Sequence, residues 1–111
     1  MAIVSDEIME NIKKFLRMVS ENGLHIERAI VFGSYAKEKQ NEWSDIDIAI
    51  VSKDFTGVRF YDRKRLNPYL IRIDSRIETH PFRPEDFTSD DLFVVQILKE
   101  GIEITDYLSL V

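Results

Sequence analysis

The residues best suited to chemistry lie in one stretch, VFGSYAKEKQNEWSDIDIAIV, residues 31–51. Asp45 and Asp47 alternate with Ile46, Ile48 and Ile50. Side chains two apart on an extended strand point to the same face. The two carboxylates therefore project together, with the isoleucines on the opposite face. Neighbouring carboxylates repel unless positive charge sits between them, and a hard cation bound through oxygen, Mg²⁺, is the usual remedy. Ahead of the pair, Gly33-Ser34 closes an apolar run that ends in Phe32. A glycine lets the backbone approach a ligand closely, and amides at a helix N-terminus attract phosphate. A phosphate cradle followed by metal carboxylates points to a nucleotide with its magnesium. Each half alone is a weak signal, since Gly-Ser after a strand is commonly a simple turn and acids on an edge strand commonly protect it from pairing. The strand itself favours the chemical reading, because Asp45 and Asp47 share their face with the apolar Ala49 and Val51.

The elements that position this stretch can be read from periodicity. Ser5 is a suitable N-cap, with Asp6 and Glu7 in a first turn where negative charge suits the helix dipole. Ile8, Ile12, Phe15, Leu16 and Val19 then recur at helical spacing, and Gly23 is a natural stop. Residues 25–32 form a first strand whose apolar run, Ala29 to Phe32, suits burial on both faces. His25 at its start reads as a surface residue. Ser34 would cap a short helix, Lys37, Lys39 and Glu42 belong to a solvated connection, and Trp43 either walls the site or anchors the loop. Residues 44–51 are the second strand. Arg59, Arg63, Lys64 and Arg65, with Phe60 and Tyr61 between them, read chiefly as an exposed helix face and secondarily as a phosphate or partner contact. Pro68 predicts two helical pieces, 59–66 and 68–73. Residues 76–82 are a third strand, with Ile77 and Thr79 facing one way and Glu78 and His80 the other. Glu78 would join the aspartates if this strand lay beside theirs; otherwise it is a surface glutamate. His80 is either a neighbour of the site or a boundary residue before Pro81. Thr88 or Ser89 would cap a last helix, with Leu92, Phe93, Val95, Ile97 and Leu98 as its apolar stripe and Gly101 at its end. Residues 102–104 suit a short edge strand, and the apolar tail at 107–111 suits either the chain's own core or another chain, including a second copy of this one.

Composition bounds the alternatives. A chain of 111 residues, 44% hydrophobic and 32% charged, folds as a single small domain spanning 1–111. A net charge of −5 argues against coating nucleic acid by charge, so no direct nucleic-acid binding is expected. Without cysteine, disulfides and thiolate metal sites are excluded. There is no run that would span a membrane and no signal-like N-terminus, so the expected location is the cytoplasm.

Gly33-Ser34, ten residues and then Asp45-Ile46-Asp47 have the G-S-x10-D-x-D form of the DNA polymerase β-like nucleotidyltransferases. The text VFGSYAK…SDIDIAIV resembles the minimal nucleotidyltransferase (MNT) domain, and the order of elements extends that resemblance over nearly the whole chain. It implies an α/β (α+β) fold: a small mixed sheet flanked by helices, the polymerase β-like palm. It also implies three catalytic, metal-binding carboxylates, of which Asp45 and Asp47 match the first two and Glu78 is the candidate third. Gly33 and Ser34 match the nucleotide-binding residues. The chain departs from the family pattern at Glu38, where a second glycine is common. The chemistry implied is nucleotidyl transfer from ATP with two Mg²⁺ ions. Small MNT proteins resemble the antitoxin halves of toxin–antitoxin pairs, transferring AMP to a tyrosine of a HEPN-domain partner. A non-catalytic antitoxin that inhibits by complex formation is the alternative. Modification of a small molecule ranks lower, because little chain remains to form an acceptor pocket.

Overall fold

The computed structural model describes residues 6–33 and 46–105. Helix α1 (Asp6–Glu21) is followed by strands β1 (Arg28–Phe32) and β2 (Ile46–Val51), helix α2 (Arg59–Ile73), strand β3 (Ile77–Phe82), helix α3 (Leu92–Glu100) and strand β4 (Ile102–Glu103). A 3-10 turn, Pro84–Asp86, links β3 to α3. The strands form one mixed sheet in the order β3-β2-β1-β4. β1 is antiparallel to β2 and β4, whereas β2 and β3 are parallel. A parallel pair needs a crossover connection, and α2 supplies it.

Strand alternation sorts the core into two layers. Ala29 and Val31 of β1, Ile46, Ile48 and Ile50 of β2, and Ile77 of β3 pack against Ile8, Ile12, Phe15, Leu16 and Val19 of α1 and Leu66 and Leu70 of α2. Burying each of these large side chains stabilises the fold by roughly 1.5–3 kcal/mol. On the opposite face, Ile30 and Phe32 of β1 and Ala49 of β2 meet Ile97 of α3, with Phe82 and Phe87 alongside. Asp47 belongs to this second face, between Ile46 and Ile48 that point the other way.

Several sequence expectations change. β1 starts at Arg28 rather than at residue 25. The expected break at Pro68 is absent, and α2 is a single helix with Pro68 inside it. Leu66 and Leu70 on either side of Pro68 are both buried, and their shared anchorage holds one axis across the missing backbone N–H. The cap of α3 is neither Thr88 nor Ser89 but Asp91, whose carboxylate accepts from the Phe93 amide at 2.8 Å. In α3 the deep positions are Val94 and Ile97, while Leu92, Val95 and Leu98 face outward. Phe93 meets the sheet through the rings of Phe32 and His80, so the buried side is narrower than the apolar stripe the sequence suggests. Gly101 ends α3 by close approach, since a Cβ there would lie 2.5 Å from Ile30 Cγ2. The Ser5 cap, Ser34, the 35–44 connection with Glu38 and Trp43, Asp45 and the 107–111 tail lie outside the described residues.

The junctions around α2 are pinned by two aspartates. Asp62, buried in its first turn, accepts from the Thr56 amide at 2.8 Å, the Thr56 hydroxyl at 3.0 Å and the Gly57 amide at 3.0 Å. At the other end, Asp74 accepts from the Arg76 amide at 3.0 Å, the Arg76 guanidinium at 2.9–3.0 Å and the Asn11 amide at 3.2 Å. The Arg76 side chain, helped by its backbone amide and by Asn11, holds the Asp74 carboxyl below its ordinary range against the opposing effect of burial. These contacts fix where α2 begins and where β3 starts.

Candidate active site

The parallel register of β2 and β3 sets Asp47 opposite Glu78 and Ala49 opposite His80. Because strand side chains alternate, Asp47, Glu78 and His80 emerge on one face. A ligand atom from each can be chosen so that all three lie within 4.8 Å of one another. On the other side of β2, Asp47 is opposite Phe32, the last residue of β1, and Gly33 follows directly. Gly33 has φ +83°, and a Cβ there would lie 2.2 Å from Asp47 Oδ2. Glycine is thus required twice: for a left-handed backbone and for the space the carboxylate occupies.

The hydrogen bonds fix the orientation of Asp47. Arg59 Nη2 lies 3.1 Å from His80 Nδ1. A guanidinium only donates, so Nδ1 is the unprotonated ring nitrogen, and the tautomer follows from the network. Nε2–H then donates to Asp47 Oδ1 at 3.0 Å. This relay from Arg59 through His80 holds one oxygen of Asp47 and leaves Oδ2 on the Gly33 side. The His80 ring is buried, with the Phe32 ring 5.0 Å and the Phe93 ring 5.6 Å away between centroids. Glu78 is partly exposed, and Arg63, one helical turn after Arg59, reaches it at 3.8 Å.

Two carboxylates at adjacent register positions, one of them tight against a backbone turn, suit a hard divalent cation held through oxygen. Asp47 and Glu78 are the described residues that would hold it. His80 fits a supporting role, since its Nε2–H is already donated to a carboxylate, an arrangement that orients ligands.

Of the residues singled out by sequence, the structure brings Gly33, Asp47 and Glu78 together; Ser34 and Asp45 are outside the described residues. His80, left open between neighbour and boundary residue, is a neighbour in direct contact. Its signal was the two-residue spacing from Glu78. Arg59 and Arg63 read chiefly as an exposed helix face, yet each touches a residue of the cluster. No local pattern distinguishes them from Lys64 and Arg65, because the distinction depends on how α2 is rotated against β3.

The family model for the nucleotidyltransferase domain matches residues 12–104. The chain belongs to that family. The nucleotidyltransferase fold also recurs in two solved structures. A protein from Sulfolobus solfataricus, provisionally described as a nucleotidyltransferase, is 19% identical, with a TM-score of 0.59 covering 93% of this chain and 89% of that one. A toxin–antitoxin structure with AMP-PNP is 24% identical, with a TM-score of 0.57 covering 89% of this chain and 72% of that one. No curated protein matches the sequence. For this nucleotidyltransferase domain, no described helix is long and apolar enough to cross a membrane.

Proposed function

We propose that this nucleotidyltransferase is the antitoxin of a toxin–antitoxin pair and transfers AMP from ATP to a tyrosine of a HEPN-domain partner, using Mg²⁺. The observation that carries the reading is the pairing of Asp47 and Glu78 across β2 and β3, directly beside the glycine turn. The toxin–antitoxin structure with AMP-PNP supports it by analogy of fold.

Asp47, Glu78 and Asp45 are the residues proposed to hold magnesium, which would supply charge neutralisation at the phosphates. Gly33 and Ser34 are proposed to receive the β- and γ-phosphates through backbone amides and the Ser34 hydroxyl. The Arg59–His80 relay keeps Asp47 turned toward them. The tyrosine oxygen attacks the α-phosphorus; the new O–P bond forms as the bridging bond to the β-phosphate breaks, and pyrophosphate leaves. Glu78, on the side away from Gly33, is proposed to accept the phenolic proton.

The test is transfer from α-labelled ATP with Mg²⁺ in a lysate of the source cells, beside an Asp45→Asn/Asp47→Asn control. A magnesium-dependent labelled protein, absent in the control, is the expected outcome. Absence of any label would overturn the catalytic reading. A second reading, inhibition by complex formation alone, draws on the pairing of both carboxylates inside the chain, Asp47 with His80 and Glu78 with Arg63. It predicts that Asp47→Asn leaves toxin inhibition intact.

A further inference from the structure

The outer side of α2 carries a groove of about 630 Å³ lined by Arg59, Phe60, Arg63, Lys64 and Asn67. Five of the fifteen residues of α2 are Arg or Lys, in a chain whose net charge is −5. Its one acid, Asp62, is turned inward to the Thr56–Gly57 turn and does not line the groove. The groove is therefore a local concentration of positive charge on an acidic protein.

Its position follows from the sheet order. Gly33 follows β1, Asp47 is on β2, and Glu78 is on β3, the edge strand. Arg63 stands beyond Glu78 and lines the groove, as does Arg59 beyond His80. An in-line displacement puts the nucleophile opposite the leaving group. If the pyrophosphate leaves over Gly33, the acceptor hydroxyl arrives over Glu78, from the side of this groove. The groove also has unspent binding capacity. Arg63 lines the groove, and its guanidinium reaches Glu78 at only 3.8 Å, beyond hydrogen-bond distance, so that ion pair does not saturate it.

We infer that the α2 groove receives the acceptor: a protein segment whose tyrosine is flanked by acidic side chains. This rests on the reading above. The charge selects an anionic occupant. A protein is favoured over nucleic acid because the cations are confined to one helix and sit beside exposed aromatic rings, Phe60 at 69% and Tyr61 at 61% exposure. Exposed aromatics with arginine are the usual anchors of protein interfaces. Nucleic acid instead calls for a longer basic track along the backbone.

The test uses the full chain with a random Glu/Tyr copolymer as acceptor, a Lys/Tyr copolymer as control and single-stranded oligouridylate as competitor. Binding is read by fluorescence anisotropy, transfer by α-labelled ATP, and ATP binding separately. The Glu/Tyr copolymer is expected to bind at least tenfold more tightly than the Lys/Tyr copolymer. Lys64→Glu and Phe60→Ser, both surface changes, are expected to weaken that binding about tenfold and leave ATP affinity unchanged. Equal binding of the two copolymers, indifference to both substitutions, or displacement by oligouridylate at lower concentration than the copolymer would each overturn the inference. The two readings fail separately. Charge-selective binding lost in Lys64→Glu, with no transfer to any acceptor, supports the groove and removes the catalytic reading. Transfer that ignores both substitutions removes the groove and keeps the catalytic reading.

Discussion

Gly33→Ala tests whether the close approach of backbone and carboxylate is what shapes the site. The substitution adds a methyl group at φ +83°, where it would lie 2.2 Å from Asp47 Oδ2 and 3.1 Å from Asp47 Cγ. A left-handed conformation costs a non-glycine residue about 1–2 kcal/mol. In addition, the Asp47 carboxylate must turn away and release the 3.0 Å hydrogen bond from His80. A charged hydrogen bond is worth about 1.5–3 kcal/mol, and water recovers part of this because Asp47 is not fully buried. The second contribution is therefore about 1–2 kcal/mol. Gly23 provides the control, with φ +100° and nothing within 4 Å of an added Cβ. Gly23→Ala should cost only the backbone term, and Gly33→Ala should melt a further 4–8 °C lower, at about 4 °C per kcal/mol for a domain of this size. Magnesium-dependent transfer should survive the first change and be lost in the second. The double variant Gly33→Ala/Asp47→Ala should be more stable than the sum of its parts by about 1–2 kcal/mol, since the colliding oxygens are gone. Equal melting of the two alanine variants, with additivity in the double, would refute the reasoning.

Three further outcomes are expected. His80→Ala should lower transfer about 10–100-fold, while His80→Gln, which keeps an N–H donor toward Asp47, should recover part of it; equal rates in both variants would remove His80 from the positioning role. Pro68→Ala should stabilise the fold by about 1–3 kcal/mol, because it restores a backbone donor inside α2; a fall in melting temperature would show that the ring is needed where it stands. Asp74 is held below its ordinary value by Arg76, so its contribution to stability is complete above about pH 3.8 and is lost as pH falls through the lowered folded value. The melting-temperature gap between wild type and Asp74→Asn should therefore be constant near neutrality and close in acid, and a gap that widened in acid would contradict the linkage.

Most of the strands and helices, and the family, are legible in the sequence alone. These rest on local chemistry: alternation around Ile46, Ile48 and Ile50, helical spacing through Ile8, Ile12, Phe15 and Val19, and the glycine turn ahead of the D-x-D pair. The buried face of α1 is the set its periodicity indicates. Where the sequence misled, a distant contact outweighed a local rule. Pro68 should break a helix, but Leu66 and Leu70 are held by the same core. The apolar side chains of α3 suggested a broad buried face, but only Val94 and Ile97 are fully buried, with the Phe93 ring edge-on to Phe32 and His80, while Leu92, Val95 and Leu98 stay exposed. The company Asp47 keeps is set by long-range packing. The parallel register brings Glu78 and His80 to it from more than thirty residues away, and the rotation of α2 turns Arg59 and Arg63 toward them. Register and helix rotation are set by packing across the core, and no pattern within a single element encodes either one.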